Sequence, residues 1–94
     1  MNCKNLKFTG HAFQQMFHRR ISRDDVRNII TYGEVIKEYP DDKPYPSRLM
    51  LGFSKNRILH VVLSSDDENE TCYIITAYEP DPQIWTEDFR KKRR

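Results

Sequence analysis

The residues best suited to chemistry in this chain are histidines and arginines, because imidazole moves protons near neutral pH and guanidinium binds phosphate. His60 lies within the apolar run Ile58 to Ser64. A polar ring buried there needs a hydrogen-bond partner or a functional role that explains its presence. It could serve as a general acid or base. It could equally be a structural histidine that bonds a backbone carbonyl or Thr76. The sequence leaves both interpretations open.

A second candidate group lies on the first predicted helix, residues 11–20. His11 is near the helix start, where free backbone N–H groups favour phosphate, so it could meet a ligand there together with Arg19. Helix capping or simple exposure is the alternative for His11. His18 follows His11 by about 10 Å along the helix, too far for both to bind one metal. We therefore predict neither a metal nor a cofactor.

The end of this helix begins a basic edge that comprises Arg19, Arg20, Arg23 and Arg27. Guanidinium groups suit phosphate because their donors form a fixed fork, and with exposed tyrosines this edge is typical of RNA binding. A solvated face is the alternative, since Asp24 and Asp25 interrupt the basic residues.

Two helices and their boundaries can be predicted from local signals. Apolar residues recur at helical spacing over residues 11–20. Ser22 with Asp25 three positions later matches a capping box and predicts a second helix. That helix should end at Tyr32, with Gly33 as a left-handed terminating residue.

The rest of the chain predicts four strands and a last helix. Strands are expected over residues 34–39, 47–53, 58–64 and 72–78, separated by turn-forming segments. Asp81-Pro82 is typical of a helix start, with Trp85 and Phe89 on one face. We predict one α+β domain over residues 1–94: two N-terminal helices packed on a four-stranded antiparallel meander sheet, followed by a short C-terminal helix.

Strand alternation predicts which side chains share a face of this sheet. Pairing Leu63 with Tyr73 gives one fully apolar face for the helices. The opposite face then carries His60, Thr76 and Tyr78, and the same parity adds Arg48 from the second predicted strand. We expect these four side chains to converge.

Composition and charge set the remaining expectations. Hydrophobic residues make up 37% and charged residues 32%, so the core should be small. The net charge is +4 over residues 1–33, −7 over 34–89 and +5 over 90–94, a distribution that could guide a polyanion to one side. No apolar segment suits a membrane or a secretion signal, so we expect a soluble, cytoplasmic protein. Cys3 and Cys72 are expected to be reduced thiols in the core.

Several motifs resemble the small bacterial family called domain of unknown function 4258. They are Phe8-Thr-Gly-His11-Ala12, Gly33-Glu-Val-Ile36, Leu59-His60-Val61-Val62 and Ile74-Ile-Thr-Ala-Tyr78. The ending with Trp85 and Phe89 is similar to a subgroup often placed beside a small zinc-finger antitoxin. The family in turn is similar to RelE and barnase-type toxins, whose compact α+β fold supports RNA cleavage without metal.

The resemblance implies a metal-independent endoribonuclease toxin of a toxin–antitoxin pair, with RNA and the antitoxin as partners. His11, Arg19, His60 and Tyr78 are the implied catalytic residues. His60 and His11 would share the general base and general acid roles, while Tyr78 would stack on a base or orient the phosphate.

Further residues are expected to assist at the RNA. Arg19 and Arg48 would stabilise developing charge, and Arg20, Arg23, Arg48 and Thr76 would contact the RNA. The chain departs from the family pattern at Gln15, where many members have Arg, and at Arg20, where they have Gly. The alternatives are a non-catalytic partner-binding module of a small regulatory complex and an inactive toxin relic.

Overall fold

Five strands form one sheet in the computed structural model, which describes all 94 residues, and two helices cover one face of that sheet. The elements are β1 (Asn5–Phe8), α1 (Gly10–Arg19), α2 (Arg23–Tyr32), β2 (Glu34–Tyr39), β3 (Ser47–Ser54), β4 (Arg57–Asp66) and β5 (Thr71–Tyr78). The strand order is β1-β5-β4-β3-β2. All neighbours are antiparallel except β1 and β5, which are parallel. Each helix has ten residues, and none is long and apolar enough to cross a membrane.

The helix boundaries follow the local signals. Ser22 and Asp25 form the predicted capping box, with the Asp25 backbone N donating to Ser22 Oγ at 3.0 Å, and α2 ends at Tyr32 as expected. Gly33 is not left-handed, because its φ of −80° and ψ of −173° are extended. A Cβ there would lie 2.5 Å from the carbonyl oxygen of Ile29 and 2.6 Å from that of Leu51. Glycine is therefore needed for close approach rather than for a turn.

The helices bury the inner face of the sheet, defined as the face that carries Leu59, Val61 and Leu63 of β4. All three side chains are fully buried. The other buried members of this core are Ala12, Met16, Ile21, Val26, Ile29, Met50, Cys72, Ile74 and Ala77. Burial of these apolar groups is the main driving force for folding.

The predicted four-stranded antiparallel meander is wrong, because β1 adds a fifth strand that pairs parallel to β5. Four residues are too few for alternation to identify this strand, and its backbone pairing with residues 71–74 stabilises it instead. The same pairing brings the chain start beside β5. Cys3 and Cys72 therefore form a disulfide, and the prediction of two reduced thiols is also wrong.

The predicted C-terminal helix is absent, and residues 80–94, which we call the C-terminal segment, form successive turns. Asp81 begins a single helical turn, in which its carbonyl oxygen accepts from the Ile84 and Trp85 backbone N. The Thr86 backbone N instead bonds forward to the Lys91 carbonyl oxygen, so no second turn follows. The segment then folds back on itself, with one β-bridge between Trp85 and Lys92 and a hydrogen bond from the Arg93 N to the Ile84 O. Trp85 is buried by this arrangement.

The strand register also differs from the prediction. Val62 pairs with Thr76 and Leu63 pairs with Ile74, so Ile75 is an extra, bulged residue. Because of this bulge, the β5 side chains before Ile75 point to the faces opposite to those predicted. On β3, Arg48 pairs with Leu63 and therefore lies on the inner side. Leu49 and Leu51 lie on the outer face, the side away from the helices, where they pair with Val62 and His60.

Space between β3 and α2 is short at Gly52. Gly52 pairs with Leu59 on the inner face, and a Cβ on Gly52 would lie 3.1 Å from Gly33 Cα and 3.1 Å from Ile29 Cδ1. Leu49 and Leu51 point to the opposite, outer face, where Leu49 lines one cavity with Trp85 and Leu51 lines another with Phe89 of the C-terminal segment.

Candidate functional site

His60 lies on the outer face of β4, between Leu51 of β3 and Tyr78 of β5. Its side chain is fully buried, although it faces away from the helices. Trp85 of the C-terminal segment covers it, with the two rings perpendicular and their centroids 4.4 Å apart. The histidine is therefore on the predicted face but sealed from solvent.

Both ring nitrogens of His60 have partners. Nε2 lies 2.9 Å from the Phe89 carbonyl oxygen and must donate to it, since a carbonyl only accepts. In the neutral ring Nδ1 is then an acceptor, and the Tyr78 hydroxyl, 3.2 Å away, donates to it. Burial lowers the pKa of His60 below its ordinary value, and the bond to Phe89 only partly opposes this. These contacts match the second interpretation, a histidine bonded to a backbone carbonyl.

Arg19 is anchored at the junction of α1 and β5. Its Nη1 donates to the Ala77 carbonyl oxygen at 2.9 Å and lies 3.5 Å from Thr76 Oγ1. Thr76 Oγ1 in turn donates to Gln15 Oε1 at 2.6 Å, and that same oxygen accepts from Arg19. Strand β1 pairs with β5 only as far as Ile74, so one edge of β5 is open after that residue. Arg19 satisfies the Ala77 carbonyl on this open edge.

A cleft of about 660 Å³ opens beside this cluster, between the end of α1, the end of β5 and the C-terminal segment. Its basic and aromatic lining residues are Arg19, Arg57, Lys92, Tyr78 and Trp85. Burial raises the pKa of Tyr78, nearby Tyr39 adds to the rise, and Arg19 opposes it. Tyr78 therefore stays a neutral hydrogen-bonding group at physiological pH.

The two arginines of the cleft differ in their free donors. Arg57 donates from Nη1 to the Arg20 carbonyl at 2.6 Å and from Nη2 to the Arg19 carbonyl at 2.9 Å, while its Nε pairs with Glu79. It thus satisfies carbonyls at the end of α1 and ties that helix to β4. Arg19 keeps Nε and Nη2 without a partner in the protein. Only Arg19 can offer a two-nitrogen fork to a ligand.

The structure gathers some predicted site residues and separates others. Arg19, Thr76 and Tyr78 meet at or beside the cleft, and His60 contacts Tyr78 from beneath. His11 is exposed near the start of α1, about 12 Å along the helix from Arg19. The predicted His11–His60 pair is therefore not assembled in this structure.

The remaining predicted arginines have other contacts. Arg48 lies on the inner side, with its Nε bonded to Glu38 and its Nη1 bonded to Ser65, so it does not converge with His60. Arg23 lies over the Phe8 ring at 5.3 Å, and Arg20 caps the end of α1 in a left-handed conformation.

Sequence reasoning missed Gln15, Arg57 and Lys92. Gln15 precedes Arg19 by four residues on the helix, and this spacing was a usable signal for side-chain contact. Arg57 lies at a predicted turn and Lys92 in a basic tail, and no local pattern connects either to the cleft. Their roles depend on long-range packing.

Comparison with known proteins yields one match. The family described as Domain of unknown function (DUF4258) matches residues 8–79, which include both helices and strands β2 to β5. The C-terminal segment lies outside the matched range. No curated protein and no solved structure matches the chain. Because the match covers most of its length, the chain belongs to the DUF4258 family.

Proposed function

We propose that this protein binds single-stranded RNA, with a phosphate held in the cleft by Arg19 and Lys92. The observation that carries this proposal is the anchoring of Arg19, whose Nη1 is fixed on the Ala77 carbonyl while Nε and Nη2 stay free. A fixed guanidinium loses little side-chain entropy when it binds an anion.

One further cation and two aromatic rings of the cleft suit the same ligand. Lys92 has no acidic partner, and its ammonium lies 5.9 Å from the Trp85 ring centre, so it can supply a second positive charge. Tyr78 and Trp85 add aromatic surface to the cleft. Cationic groups beside aromatic rings are the usual combination for an unpaired nucleic-acid strand. Two carboxylates also line the cleft: Glu79 is paired with Arg57, whereas Asp81 has no basic partner and accepts from the Gln83 backbone N through Oδ1.

Binding is favoured over cleavage because the cleft holds no free imidazole. His60 uses both nitrogens and is covered by Trp85. In this arrangement it cannot exchange protons with a ligand.

The endoribonuclease of a toxin–antitoxin pair is the second candidate, and it stays a prediction together with the antitoxin partner. One observation favours it: the C-terminal segment that covers His60 lies outside the residues matched by the family. Displacement of this segment would expose His60 to solvent, next to Tyr78 and close to the cleft that holds Arg19.

The binding proposal is tested by measuring the affinity of a short fluorescent RNA at several salt concentrations. We expect Arg19→Gln to weaken binding about tenfold, as for loss of a charged hydrogen bond. The negative slope of log affinity against log salt concentration should become shallower by about 0.7, because one phosphate contact is lost. Lys4→Gln is the control, since it removes one positive charge from an exposed side chain just before β1, outside the cleft. Equal effects of the two substitutions would contradict a specific phosphate site.

The cleavage candidate is tested separately with Trp85→Ala, which removes the cover of His60. RNA cleavage by this variant, abolished when His60→Gln is added, would support it. If neither the wild type nor Trp85→Ala cleaves RNA, the endoribonuclease prediction fails while the binding proposal stands.

A further inference from the structure

A second cavity, of about 490 Å³, lies on the outer face near the start of β5. It is separate from the cleft, which lies at the other end of that strand. Tyr73 and Ser64 line it from the sheet, and Tyr45 and Lys43 line it from the loop before β3. The volume is in the range of cavities that hold a small ligand.

Two parallel tyrosine rings are the main feature of this cavity. Tyr45 and Tyr73 stack with their centroids 5.7 Å apart and an angle of 4° between their planes. The nearby Asp66 carboxylate raises the pKa of the Tyr45 hydroxyl, so this ring stays neutral at physiological pH. Asp66 is itself bonded to Asn69 Nδ2 at 2.7 Å. The two rings therefore already form one stacked aromatic surface in the free protein.

Charge around the tyrosines selects against an anion. Asp42 lines the cavity and Asp66 lies near the Tyr45 hydroxyl, whereas Lys43 is the only cation in the lining. A phosphate would be repelled by the two carboxylates. A neutral planar ring would stack on the tyrosines, and the Ser64 hydroxyl, which has no partner within the protein, could bond its edge.

We propose that this cavity holds one unpaired base of the RNA whose phosphate lies in the cleft, an inference that rests on the proposed function. Tyr73 and Tyr78 are five residues apart on β5, about 16 Å along the strand. Thr76 and the bulged Ile75 lie between them, and neither carries a charge. An RNA strand can follow this edge from the cations to the tyrosines.

The test compares a short RNA with an abasic RNA of the same length and charge. The wild type should bind the base-containing RNA about five- to one-hundredfold more tightly, because stacking on aromatic rings contributes that much per base. Tyr73→Leu and, separately, Tyr45→Leu should lower this ratio toward one and leave abasic affinity unchanged. Tyr32→Leu is the matched control, because Tyr32 is 84% exposed and lies in neither site.

The outcomes separate this inference from the proposed function. If the wild type binds both RNAs equally, or if the tyrosine substitutions leave the ratio unchanged, the base site is wrong while phosphate binding stands. If neither RNA binds, the proposed function fails and the base site fails with it. Circular dichroism of each variant checks that the fold is kept, and the wild-type ratio decides the matter even where a variant does not fold.

Discussion

The two faces of the sheet are closed in different ways. The inner face is closed by two helices and by fully buried apolar side chains such as Leu59, Val61 and Ile29. The outer face is closed by the C-terminal segment, which combines Trp85 packing with a hydrogen bond from His60 to a backbone carbonyl. A buried titratable group lies at each face: Asp25 of α2, bonded to Ser54 on the inner side, and His60 on the outer face. The pKa of Asp25 is lowered from 3.8 and that of His60 is lowered from 6.5. A pH change just below neutrality therefore acts on the outer face and leaves the inner face unchanged.

The largest expected effect tests this difference with a matched pair of leucines. Leu59→Ala on the inner face should lower the free energy of unfolding by about 4 kcal/mol, since the helices cannot collapse into the cavity. Leu49→Ala on the outer face should cost only about 2 kcal/mol, because the C-terminal segment can shift toward the gap. Urea denaturation measures both. Equal losses would mean that the outer face is packed as rigidly as the inner one.

A smaller effect is expected from pH. The folded-state pKa of His60 lies below its ordinary value of 6.5, so below that pH the unfolded chain binds a proton that the folded chain does not. The free energy of unfolding should therefore fall as the pH drops from about 7 to about 5, by at most about 1.4 kcal/mol per pH unit.

The control for this pH effect is His60→Gln, which removes the titrating group and should flatten the profile over the same range. Urea denaturation at each pH gives the slope for both proteins. A wild-type slope no steeper than that of the variant would show that burial of His60 is not linked to folding.

The smallest expected effect concerns the ion pair between Arg90 of the C-terminal segment and Glu34 of β2. Both side chains are about half exposed, so Arg90→Ala should cost less than about 1 kcal/mol. Hydrogen exchange at the Trp85 indole should nevertheless quicken, because one tether of the segment is lost. If the exchange rate does not change, the contacts of Trp85 and His60 are sufficient to hold the C-terminal segment on the outer face.

Local features of the fold could be predicted from the sequence, and long-range ones could not. The capping box at Ser22 and the end of α2 at Tyr32 depend on residues a few positions apart, and both are confirmed. Strand β1 depends on pairing with residues more than sixty positions away, and no local pattern reveals it. The bulge at Ile75 likewise reversed the facing that strict alternation predicts for the first half of β5.

The candidate site shows the same division. Arg19, Thr76 and Tyr78 were predicted and lie together, since a helix end and a strand end meet there. The sealing of His60 was not predictable, because the Asp81-Pro82 signal indicated a helix instead of the turns that place Trp85 on the ring. Strand facing also misplaced Arg48, since the leucines of β3 face a cover that the sequence did not reveal.

The disulfide between Cys3 and Cys72 has a mechanical consequence. It bridges a sequence separation of 69 residues and closes a covalent ring that includes both helices and four strands. Tension applied between the chain ends would pass through the sulfur atoms and bypass everything between residues 3 and 72. Such a pull could extend β5 and the C-terminal segment, whereas the elements inside the ring would bear no tension until a reductant opened the bridge.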